Sequence, residues 1–205
     1  MQITKKSIYY RYYNSCFVRF LILAFLVSGT EGCTSAVVGA GATTGLAIYD
    51  ERGIKGVTQD ALTKARLRAK ILEYSTTLAT KIGIDVYANT VLLTGAISDE
   101  KMMANAVHIA WSIKSVSDVI NEIQLTDTGI VDIARDSWIT MQFRARMTLD
   151  EDIFAVNYSC ETVNGVLYII GLAQNKSELN RVISLAKQIN YVRKVVDHVW
   201  LKKEV

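Results

Sequence analysis

VLLTG at residues 91–95 and LYIIG at residues 167–171 are two short apolar runs, each closing on a glycine, 76 positions apart (167 − 91). Turn chemistry precedes both: Asn164-Gly165 is a strong two-residue hairpin signal and Asn89-Thr90 a weaker one. Each run therefore reads as the second strand of a hairpin, 84–88 with 91–95 and 155–162 with 166–171. Downstream, apolar residues at helical spacing predict helices over 99–114 and 177–189, with Ser98 as N-cap of the first. Alternating strands follow at 119–125 and 195–201. Upstream, helices are expected at about 60–82 and at 136–149. The offset of 76 aligns 60–125 with 136–201 without a gap. It superposes Asp60 on Asp136, Arg68 on Arg144, Ala69 on Ala145, Gly95 on Gly171, Val119 on Val195 and Leu125 on Leu201. One register held over that length marks two homologous modules joined by a linker at 126–135. The expected class is α+β. Each module has the order α-β-β-α-β, with two helices covering one face of a three-stranded sheet.

The modules differ most on their first helices. In DSWITMQFRARM (136–147), successive side chains step about 100° around the helix axis. Ile139, Phe143 and Met147 then form a core face. Trp138, Met141 and Ala145 form a second stripe roughly opposite, bordered by Arg144 on one flank and by Arg135, Gln142 and Arg146 on the other. A tryptophan and a methionine facing water, rimmed by guanidinium groups, suit a surface that is apolar within and anionic outside, as a phospholipid bilayer is. Packing of Trp138 on a neighbouring domain is the bland alternative. The first module has Leu62 and Ala65 at the places of Trp138 and Met141, so it lacks the aromatic anchor although its helix is more basic (Lys64, Arg66, Arg68, Lys70).

A strand ending in VLLTG or LYIIG, then a helix, then a V..V.N.I-type strand resembles the BON domain, and the resemblance covers both modules. The segment YDERGIKGVTQD before the first module, and DSWIT at the start of the other, resemble the dual-BON outer-membrane lipoproteins. That resemblance implies two tandem BON modules and binding of an anionic phospholipid membrane through the first helix of the C-terminal one. It further implies a role in envelope integrity near the division site, with outer-membrane assembly or division proteins as further partners. Residue by residue, the lipid contacts fall on Trp138 and Arg144 with Ile139 between them; Met141, Arg135 and Ala145 complete the patch. The first module is expected to support the second or to contact protein. A periplasmic interaction scaffold without direct lipid binding is the competing reading.

The N-terminus has the n-, h- and c-regions of a secretory signal peptide at 1–32: basic up to Arg19, apolar over 20–27, then Ser28, Gly29 and Thr30. Cys33 follows Gly32 and resembles the lipobox cysteine of bacterial lipoproteins, with Thr30 and Glu31 departing from the usual residues. Lipidation at Cys33 would make 33–59 a lipidated tether, and Thr34 in place of Asp implies outer-membrane sorting. Ordinary cleavage with an unmodified Cys33, or an uncleaved anchor, are the alternatives; a soluble periplasmic protein would result from the former.

The net charge of +3 resides wholly before Cys33. From Cys33 onward acids and bases balance, which argues against a general nucleic-acid binder. His108 and His198 have no HxxxH, CxxC or carboxylate partner at catalytic or metal-ligand spacing. No nucleotide-loop motif occurs, and the expectation is a protein that is not an enzyme and needs no cofactor. Asp150, Glu151 and Asp152 read as a solvated loop, and Cys160 as a small buried apolar residue.

Overall fold

A computed structural model describes residues 52–126 and 131–202, all within one compact unit spanning Leu46–Val205. The first module runs α1 (Gly53–Tyr74), α2 (Thr76–Lys81), β1 (Ile82–Tyr87), β2 (Thr90–Ile97), α3 (Glu100–Trp111) and β3 (Asp118–Leu125). The second runs α4 (Ile133–Leu149), a short 3₁₀ turn (Ala155–Asn157), β4 (Tyr158–Val163), β5 (Val166–Ala173), α5 (Lys176–Lys187) and β6 (Lys194–Leu201). The protein is α+β, with two tandem modules of the expected order. Cys16, Cys33, the signal region and most of the tether lie outside the described residues. Residues 53–59, read as tether, are instead the opening turns of α1. The first helix is also interrupted at Ser75, whose extended backbone ends α1 and whose hydroxyl accepts from the Leu78 N–H to start α2. Asp99, not Ser98, caps α3, accepting from the N–H groups of Lys101 and Met102.

Each sheet pairs its hairpin antiparallel and its last strand parallel to the centre, in the orders β1-β2-β3 and β4-β5-β6. The parallel pairing needs a crossover, which α3 and α5 supply. Both hairpins turn on two residues with positive φ, Asn164-Gly165 and Ala88-Asn89. The first module's turn therefore sits one residue earlier than expected. Residues with opposite handedness fit the right-handed twist of the flanking strands, and Ala88 tolerates that conformation at a cost.

The repeated residues have repeated jobs. The Asp60 carboxylate accepts from the N–H groups of Ala88 (2.7 Å) and Asn89 (2.9 Å). The Asp136 carboxylate accepts from those of Asn164 (2.7 Å) and Gly165 (2.8 Å). Each first helix thus clamps its own hairpin tip through one buried acid. Gly95 and Gly171 admit the carbonyls of Lys81 and Asn157, also 76 apart, where a Cβ would collide. Arg68 donates to the Ile82 carbonyl on edge strand β1, and Arg144 to the Cys160 carbonyl on edge strand β4. Guanidinium groups in both places occupy backbone acceptors that an edge would otherwise present to another chain.

Each module has its own core under its helices. In the first, Leu67 and Ile71 of α1 pack with Leu93 and Ala110; in the second, Ile139, Phe143 and Met147 of α4 pack with Leu167, Ile169 and Val182. A third core lies where the sequence reading left the sheets uncovered. Tyr87, Leu92 and Ala96 meet Val163, Tyr168 and Ile170, so the two sheets pack on one another. β2 is buried at all eight positions as a result. Polar contacts frame this seam. His198 Nε2 meets Glu122 Oε1 at 2.9 Å, and Gln124 Nε2 donates to Tyr168 Oη and to the Val163 carbonyl, both at 3.1 Å. Tyr87 stacks on Trp200 at 6.1 Å between centroids. His198 is Glu122 displaced by 76, and Tyr87–Trp200 is Val163–Gln124 displaced in the same way. The seam therefore carries an internal two-fold relation between the modules.

Candidate functional site

The core face of α4 is set by Ile139, Phe143 and Met147, each with 2% exposure or less. The opposite face is open. Trp138 is 36% exposed and Met141 58%, and Ala145 is exposed between them. Two opposed apolar stripes leave the helix weakly amphipathic as a whole: one belongs to the core, and the other stays partly exposed. Asp132 caps the helix by accepting from the Arg135 N–H, and its carboxylate also holds the Arg135 guanidinium at 3.0 Å.

Around this face the expected residues separate into three groups. Trp138, Met141, Ala145 and Arg135 lie on the open surface. Ile139 does not: it is wholly buried in the second module's core. Its lipid-contacting assignment is corrected on that ground, because reaching a bilayer would require dismantling the core. Arg144 sits at the border, with its guanidinium turned down against β4. Nη2 donates to the Cys160 carbonyl at 2.7 Å and Nε to the Cys160 thiol at 3.4 Å. Much of its hydrogen-bonding capacity is thus committed within the fold. Burial pushes the Cys160 thiol up to about 11, the Arg144 hydrogen bond opposing it, so the thiol is protonated at neutral pH. Cys160 is buried and unpaired, a small apolar side chain with one polar contact.

On the Arg144 flank, Ile133, Ser137 and Met141 line a groove of about 680 Å³ shared with Lys64 and Arg68 of α1, Lys81 of α2, and Glu161 of β4. Lys64 is paired with Asp85 at 2.8 Å. Burial, together with the neighbouring Asp85 carboxylate, raises the Glu161 carboxyl above its ordinary value. On the opposite flank stands a residue the sequence reading missed, Tyr191, in the loop between α5 and β6. Its ring meets the Trp138 indole edge-on at 5.9 Å, and the Arg135 guanidinium lies 5.2 Å from its centroid. The available signal was an aromatic in a loop where the first module has Ser115, and periodicity alone gives loop residues no direction.

Of the other polar groups weighed in the sequence, His198, Asp150 and Asp152 have structural partners, and His108 is exposed on α3. His198 belongs to the seam between the sheets. Both oxygens of Asp150 accept from Arg181 Nε at 2.8 Å, and Asp152 lies 3.5 Å from Arg181 Nη2. No helix among the described residues is long and apolar enough to cross a membrane.

Two copies of the BON domain match, at residues 59–127 and 135–203. With two thirds of its length in those matches, this chain belongs to the BON-domain family. It is 34% identical over 145 residues to an uncharacterized protein of the gshII 5′ region in Anaplasma centrale, covering 70% of this chain and 95% of that one. It is 28% identical over 192 residues to the outer membrane lipoprotein DolP of Haemophilus influenzae, covering 85% and 92% of the two. The osmotically-inducible protein Y of Escherichia coli is 22% identical over 146 residues, covering 70% and 73%. The chain is thus a dual-BON protein similar to DolP.

Proposed function

We propose that this protein is a binding module of the bacterial cell envelope, which docks on anionic phospholipid through the open face of α4. One observation carries the reading: Trp138 and Met141 lie exposed on the side of α4 opposite its core, with Arg135 and Arg146 beside them. Indole and thioether groups favour the boundary between headgroups and acyl chains, and guanidinium groups pair with lipid phosphate. Burial of the apolar stripe would supply affinity, and the basic rim a preference for anionic lipid. The likeness to an outer membrane lipoprotein supports an envelope location. Lipidation of Cys33 would then hold the modules close to a membrane, and envelope integrity near the division site is the role that this likeness suggests.

Sedimentation with vesicles of phosphatidylglycerol and phosphatidylcholine, against phosphatidylcholine alone, tests the docking. The intact chain should bind the anionic vesicles, and Trp138→Glu should abolish binding with the circular dichroism spectrum unchanged. Binding that survives this substitution overturns the reading. Palmitate labelling of the wild type against Cys33→Ala tests the anchor separately.

A further inference from the structure

Tyr191 combines three features that packing alone does not call for. Its backbone has φ +69°, a left-handed conformation costly for a side chain with a Cβ and free for glycine. Its large aromatic side chain is nonetheless 63% exposed. The loop around it is also pinned. Ile189 and Val192 pack into the second module's core on either side of it. The Arg193 N–H donates to the Gly165 carbonyl at 2.8 Å, and the Arg193 guanidinium donates to the Asn164 carbonyl. The hairpin tip therefore holds the loop, and the ring is presented from a fixed base beside Trp138. In the first module the same bolt is made by the Ser117 N–H and the Asn89 carbonyl at 3.0 Å. There Ser115 takes the place of Tyr191, bonds Thr63 at 2.7 Å, and is not among the residues with positive φ. The architecture of the loop does not require an aromatic residue, and the second module keeps one despite the strain.

We infer that Tyr191 is a second membrane anchor, so that the docking surface is built from two elements, α4 and the α5–β6 loop. The inference rests on the lipid-docking reading of α4 and extends it. The occupant is the headgroup layer of an anionic phospholipid bilayer. Two adjoining aromatic rings suit its depth, where apolar ring faces are buried and the hydroxyl and indole N–H stay hydrated. Arg135 supplies the charge complementarity: the Tyr191 ring and the Asp132 carboxylate hold its guanidinium, and the side chain stays about half exposed. Strain at Tyr191 is then retained for binding, and stability and affinity should respond to substitution in opposite directions.

The test compares wild type, Tyr191→Gly, Tyr191→Phe and Trp138→Glu in the intact chain. Each is titrated with phosphatidylglycerol–phosphatidylcholine vesicles, and its thermal midpoint is measured without lipid. Tyr191→Gly should weaken vesicle binding roughly tenfold with an unchanged or higher midpoint, since glycine fits the backbone. Tyr191→Phe should keep most of the affinity. Wild-type affinity in Tyr191→Gly, with Trp138→Glu still inactive, overturns the second anchor and leaves the α4 reading standing. A lowered midpoint with unchanged affinity assigns Tyr191 to packing and also overturns it. Failure of the wild type to bind vesicles brings down both.

Discussion

Single residues show how a repeated sequence becomes a repeated structure. Asp60 and Asp136 recur because each first helix must fasten the hairpin that follows it, and a carboxylate can accept both loop N–H groups at once. Asp136→Ala leaves two donors unmet at the tip, the buried Gly165 N–H and the part-buried Asn164 N–H. It should cost about 2–4 kcal/mol in urea denaturation, a larger loss than Asp136→Asn. Ala88 faces the opposite problem, a Cβ in a left-handed turn at an exposed site. Ala88→Gly should stabilise the protein by about 0.5–1 kcal/mol in the same assay. Glu161 gives a pH-dependent case. Burial raises its folded-state pKa, so the folded protein holds that proton more tightly than the unfolded chain and ionised Glu161 opposes folding. Glu161→Gln should raise the thermal midpoint at pH 7, and the gain should fade as pH falls from the raised folded-state value to the ordinary carboxylate one. The identity of Asp60 with Asp136 was legible in the sequence but its purpose was not, since nothing local ties a helical aspartate to a turn 28 residues further on. Tyr191 was legible only as an aromatic where the first module has Ser115, because its direction depends on the hairpin tip beneath it.

At the scale of the element, α4 has to satisfy two apolar environments with one helix. The 3.6-residue period sorts its side chains onto two faces without reference to anything outside, so both stripes could be read from DSWITMQFRARM. The same period placed Ile139 in the core, and burial excludes the lipid contact that family likeness had suggested for it. Arg144 was placed on the correct flank, but its commitment to Cys160 depends on the sheet edge beneath the helix. The two faces should separate under mutation. Phe143→Ala, at the core face, should cost about 3–5 kcal/mol. Met141→Ala, at the open face, should change stability by less than about 0.5 kcal/mol and weaken vesicle binding. Urea denaturation and vesicle sedimentation on the two variants check the pair. Helix limits were read less well than helix faces, because Asp99 and Ser75 act through caps formed only once the chain has turned.

At the scale of the whole molecule, the unforeseen feature is the seam between the sheets. The runs VLLTG and LYIIG are apolar at adjacent positions instead of alternating, as strands covered on both faces are. The signal was present, but a module considered alone offers no second layer to account for it. Residues of both modules fill the seam, so the two should unfold in one cooperative transition, and Ile170→Asp should lower the midpoint for both together. Fluorescence of Trp111 and Trp138, followed in variants that keep only one or the other, checks this. The displacement that carries Glu122 onto His198, and Tyr87–Trp200 onto Val163–Gln124, means that the halves meet through equivalent positions that carry complementary side chains. A copy of the first half on itself would instead set Glu122 against Glu122. A free-standing half would find its complement only by colliding with the other, as rarely as dilution dictates. Joining the halves end to end removes that dependence on abundance, and leaves one copy free to acquire an aromatic outer rim while the other holds it in place.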